Sequence, residues 1–133
     1  MHPLAGTWIA NIAKSRRHAN HQFESATMVF EVTGADVVLT YDGINASGNR
    51  EGNTQRFNAD GRERPIAEAP GYAAITTLGP RALEALGKKD GAVVGRGTYE
   101  VSEDGRTMTA TIGGTDASGA AFEQVIVFDR ATP

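Results

Sequence analysis

After Gly6-Thr7-Trp8, the chain is almost entirely short runs in which apolar and polar residues alternate, cut at intervals by Gly beside Asp or Asn. Period two is the signature of strands with one buried face. The intervening residues accept the backbone of tight hairpins. Short loops impose antiparallel neighbours, and eight or nine sequentially paired strands with no long helix between them are best satisfied by closure, which removes exposed edges. The expected fold is all-β: an antiparallel up-and-down β-barrel of about eight strands. The length of 133 residues suits one domain, 1–133, and is too short for two ordinary ones.

The pattern predicts strands over 6–11, 26–33, 36–44, 53–58, 72–78, 92–101, 107–113 and 121–129. A shorter strand or a helical turn fits 83–86. Hairpin connections are expected at Gly34, Gly48, Gly61, Gly91, Gly105 and Gly119, each with Asp or Asn nearby. Residues 13–24, with Lys14, Arg16, Arg17, His18, Asn20, His21 and Gln22, are too polar for a core strand and read as a loop lying over the barrel mouth. Residues 62–71, with Pro65 and Pro70, read as an irregular crossing of the rim.

Composition removes several function classes. The formal charge is −3 and the basic residues are scattered, so no footprint for a phosphate backbone exists and no nucleic-acid partner is expected. There is no Cys, which excludes disulfides, thiolate metal ligands and a Cys nucleophile. No run approaches the ~20 apolar residues of a membrane span. Met1 to Ala5 lacks the apolar segment of ~7 to 15 residues that a secretory signal needs. A soluble protein is expected, with its compartment left open and a homodimer compatible with the sequence.

Particular residues carry a likeness to a known group. Gly6-Thr7-Trp8 with Asn11 and Lys14-Ser15, Asp60-Gly61-Arg62 before Pro65, Val101 to Thr109, Gly113 to Gly119 and the closing Val127-Phe128-Asp129-Arg130 resemble bacterial lipocalin-like proteins of the calycin group. The likeness is spread over nearly the whole chain. It implies an up-and-down barrel with an apolar cavity, and it implies that Trp8 packs beneath Arg130 to close the barrel bottom. It implies no settled chemistry. Arg16 to His21 departs from the common forms of that group, being more basic and His-rich than a bland loop.

An eight-stranded barrel either fills with side chains or holds one small ligand. Alanine and glycine within strand-like runs, among them Ala73, Ala74, Gly95, Gly97 and Ala110, favour a cavity. The opposing reading is a barrel packed shut by Phe30, Leu39, Phe57, Ile75, Tyr99, Ile112 and Phe128. Alternation places Met28, Phe30 and Val32 on one face, Val37, Leu39 and Tyr41 on another, and Phe122, Gln124, Ile126 and Phe128 on a third. The candidate ligand-binding residues are Phe30, Leu39, Tyr41, Phe57, Tyr72, Arg96, Tyr99, Gln124 and Phe128. Gln124 is polar on an apolar face and suits a ligand carbonyl or hydroxyl. Arg96 with Glu100 forms an internal pair for a carboxylate if that face of 92–101 points inward, and lies in solvent if it does not.

His18 and His21 stand three apart with Glu24 close by, but no third ligand accompanies them and no metal site is expected. No phosphate-cradling loop, nucleophile elbow or paired His-Glu motif is present, and no cofactor is expected. The leading expectation is binding of a small apolar or aromatic molecule inside a barrel covered by the loop 13–24. The rival is a cofactor-independent isomerase, cyclase, lyase or hydrolase in which His18, His21, Tyr41 or Tyr99 moves protons. A filled barrel acting through its outer surface is the third.

Overall fold

The computed structural model describes residues 2–16, 23–66, 69–115 and 119–131. Ten strands form: β1 (Gly6–Arg16), β2 (Phe23–Thr33), β3 (Asp36–Asn45), β4 (Arg50–Asn58), β5 (Asp60–Pro65), β6 (Tyr72–Leu78), β7 (Ala82–Lys89), β8 (Ala92–Val101), β9 (Thr107–Thr115) and β10 (Ala121–Arg130). They make one antiparallel sheet in the order β4-β3-β2-β1-β10-β9-β8-β7-β6-β5. The first and last strands pair, Trp8 opposite Arg130 and Ala10 opposite Phe128. The two remaining edges, β4 and β5, are joined through the single buried residue Ala59. The result is a nearly closed up-and-down barrel.

The expectation of about eight strands is corrected to ten. Strand β5 replaces an expected irregular crossing. All six of its residues are exposed, so no apolar alternation marks it, and Pro65 at its end costs an edge strand no ladder bond. Strand β7 resolves the ambiguity of 83–86. Leu83 pairs with Leu78 on one side and Tyr99 on the other, which a helical turn could not do.

Strand β1 also runs past its expected end into the polar segment. Its pairing with β10 jumps from Asn11 opposite Val127 to Arg16 opposite Val125. Ser15 Oγ bridges the irregularity, accepting from Val127 N at 2.9 Å and donating to Asn11 O at 2.7 Å. A hydroxyl stands in for the missing ladder partner there, and polar composition is compatible with a strand. The expected loop 13–24 thus contributes its first residues to β1 and its last to β2.

The base of the barrel is sealed by the N-terminal segment. Trp8, Leu4, Leu83 and Met108 are fully buried. The indole N–H of Trp8 donates to Leu4 O at 2.9 Å, and the Arg130 guanidinium lies 4.1 Å from the Trp8 ring centre. Arg130 also donates to the carbonyls of Pro3, Ala5 and Gly105, at 2.5, 2.9 and 2.7 Å. Gly6 makes this possible: its φ is +129° and a Cβ there would meet the Arg130 guanidinium at 2.6 Å. Trp8 packs on Arg130 as the calycin likeness implied.

Candidate functional site

Cross-strand partners share a face, so the register identifies the inner wall layer by layer. Near the base it reads Leu78, Leu83, Tyr99, Ala110 and Ile126. One layer toward the mouth it reads Thr76, Ala85, Gly97, Ile112 and Gln124. The next layer is Ala74, Gly87, Gly95 and Gly114, with no side chain beyond a methyl until Phe122. Side-chain volume falls toward the mouth, and space is left there.

On the opposite side of the interior, between β2, β3, β4, β9 and β10, lies a cavity of about 460 Å³. It lies within the ~300 to 1,000 Å³ usual for small-molecule sites. Ala26, Met28, Ala110, Ile112, Ile126 and Phe128 form its apolar walls. Phe23, Tyr41 and Gln124 line it further, and Asn45, Ala46, Ser47 and Glu51 complete it at the β3–β4 turn. Ala46, Ser47 and Glu51 are exposed, so the cavity opens at this end.

The turn is organised from one side chain. Asn45 Oδ1 accepts from the backbone N–H groups of Ser47 and Asn49, both at 3.0 Å. Its Nδ2 donates to Glu51 Oε1 at 2.8 Å, which holds the carboxylate against the rim. Tyr41 lies along β3 with its hydroxyl over Gly43, the residue opposite Glu51. A Cβ at Gly43 would come within 2.6 Å of both that hydroxyl and the Ser25 carbonyl, so only glycine permits this placement. Burial raises the Tyr41 pKa above its ordinary value, with smaller contributions from Glu51 and Asp42. Tyr99 is raised by burial alone.

The candidates named from sequence separate into groups. Tyr41, Gln124 and Phe128 meet in the cavity lining. Phe30 and Leu39 are buried in the core, with Phe57 and Tyr99 packed against it. Tyr99 meets Phe30 edge to face at 5.5 Å between ring centres. Tyr72 is exposed beneath Lys89, whose ammonium stands 5.4 Å from the ring centre. Arg96 and Glu100 are exposed while Tyr99 and Val101 turn inward, so Arg96 stands outside the cavity in a surface depression beside Val94 and Gly113. His18 and His21 lie outside the described residues.

Sequence reasoning omitted Phe23, Ala26, Ala110, Ile112 and the Asn45 to Glu51 turn from the site. Depth along the barrel separates lining from core: Phe30 stands opposite Gly6, beneath Trp8, whereas the cavity lining of β2 begins at Met28, opposite Trp8, and continues through Ala26 to Phe23. The turn residues carried no signal, because their polarity is that of any hairpin.

The all-antiparallel meander, with its sealed base and open apolar interior, has whole-chain likeness to solved structures. The wild-type fluorescent protein UnaG superposes with a TM-score of 0.66 at 16% identity, covering 96% of this chain and 97% of that one. The likeness is one of fold: an antiparallel, nearly closed up-and-down barrel. The zebrafish ileal bile acid-binding protein, in complex with cholic acid, matches with a TM-score of 0.64 at 13% identity over 97% of this chain and 99% of its own. The siderocalin Ex-FABP, described as working through dual ligand specificities, matches with a TM-score of 0.50 at 8% identity over 97% of this chain and 74% of its own. No family model and no curated protein matches the chain by sequence.

Proposed function

We propose that this calycin barrel binds a small, largely apolar molecule in the cavity at its mouth. The observation that carries the reading is the contrast between a sealed base and an interior of about 460 Å³ walled mainly by Ala, Met, Ile and Phe side chains. Met28, Ile126 and Phe128 pack the body of the ligand. Gln124 and Tyr41 orient its polar group, since a few placed polar side chains in an apolar wall fix orientation and specificity. The Tyr41 hydroxyl has no hydrogen-bond partner among the described residues and is free to bond a ligand. Phe30, Leu39, Phe57 and Tyr99 belong to the packed core adjoining the cavity. Fold neighbours described as bile acid-binding and as a siderocalin lend support, since the same architecture holds small molecules in them.

Native mass spectrometry of the protein purified from cells, before and after denaturing extraction, tests the proposal. A stoichiometric small molecule, absent when Ala110 is changed to Phe, is the expected result. A protein that carries none, and whose melting temperature is unmoved by fatty alcohols, fatty acids and sterols, contradicts it.

A further inference from the structure

We infer that the molecule held in this cavity carries an amine, cationic at neutral pH, at the end nearest the mouth. The inference rests on the binding proposal above and specifies its ligand class. Glu51 is the one charged side chain among the described residues that line the cavity. It stands opposite Gly43, on the same face as the inward-turned Tyr41, which is itself opposite Asn53. Its carboxylate accepts from Asn45 Nδ2 and forms no ion pair with any described residue.

The basic residues of β4 are spent elsewhere. Arg50 donates two hydrogen bonds to Asp42, at 3.0 and 2.8 Å, and Arg56 stands opposite Val38, both on the alternate face of the strand pair. Arg96 is exposed outside the cavity. Among the described residues, the rim near Glu51 therefore carries negative charge and no cation. Asn45 has turned its carbonyl to the turn backbone and an amide hydrogen to Glu51, so it reinforces the carboxylate rather than neutralising it. A carboxylate head at this rim would face like charge, whereas an ammonium would gain a charge-assisted hydrogen bond. The apolar body would then run inward over Met28, Ile126 and Phe128.

Calorimetric titration of the full chain at pH 7, with dodecylamine, dodecanol and dodecanoate below their aggregation concentrations, isolates the head group at constant tail. The amine is expected to bind at least about tenfold more tightly than the carboxylate, with the alcohol between. Glu51→Gln, whose side chain is exposed and whose melting temperature should be unchanged, lowers amine affinity about tenfold, roughly 1.4 kcal/mol, and leaves the alcohol within about twofold. Tightest binding of dodecanoate, or amine affinity indifferent to Glu51→Gln, overturns the inference while the barrel remains a binder. Binding of none of the three overturns the binding proposal and the inference together.

Discussion

At the base of the barrel, Trp8 and Leu4 are fully buried and their polar neighbours are paired: the indole N–H with Leu4 O, and three carbonyls with Arg130. At the mouth, the inner wall thins to Ala74, Gly87, Gly95 and Gly114, and the Tyr41 hydroxyl projects over Gly43 with no such partner among the described residues. The same alternating strands build both ends. Side-chain size and polar satisfaction alone separate a packed core from a cavity, and stability is concentrated away from the residues available to a ligand.

Breaking the base has the largest expected consequence. Trp8→Ala removes a fully buried ring, its hydrogen bond and the surface on which Arg130 rests, and should destabilise by about 3–5 kcal/mol. Urea unfolding followed by circular dichroism measures this, because the fluorescent probe is lost with the residue. Arg130→Ala leaves Trp8 in place but strips the donors from Pro3, Ala5 and Gly105, and about 2–3 kcal/mol should be lost in the same assay.

Filling the cavity should act mainly on binding. Ala110→Phe projects a ring into it; ligand affinity should fall at least about tenfold, while overpacking around this fully buried position should cost about 1–3 kcal/mol, less than Trp8→Ala. Calorimetry with dodecanol and urea unfolding of the same samples separate the two effects. A loss of stability matching that of Trp8→Ala would show that the two ends are not distinct.

The smallest effect concerns pH. Burial holds the Tyr99 phenol above its ordinary pKa of 10.0, so the folded chain keeps this proton when the unfolded chain releases it. The associated stability is complete below about pH 10 and is lost as pH rises through the folded value. Tyr99→Phe should therefore change little at pH 8 and flatten the decline in stability above about pH 10. Urea midpoints at about pH 8 and on the alkaline side of about pH 10 decide it.

The fold was legible in the sequence wherever one strand face is buried, since alternation then leaves a trace. It was illegible at Asp60 to Pro65, an edge strand exposed along its length, and at Ile12 to Arg16, where Ser15 replaces a backbone partner. The site was legible as a face but not as a depth. Tyr41, Gln124 and Phe128 were assigned to inward faces by alternation, and they do meet in the cavity lining. Phe30 and Leu39 obey the same alternation yet lie in the packed core, because periodicity says which side a residue faces and nothing about its distance from Trp8. Tyr72 and Arg96 were named for their chemistry, and their strand ends and faces leave them exposed.

A small molecule that enters the mouth should leave the base undisturbed. Methyl-resolved NMR titration of the full chain with dodecanol measures this: saturable shifts are expected at Ala26, Met28, Ala110, Ile112 and Ile126, with Leu4, Leu83 and Val101 unmoved. Shifts confined to the outer wall, or centred on the base methyls, would contradict it.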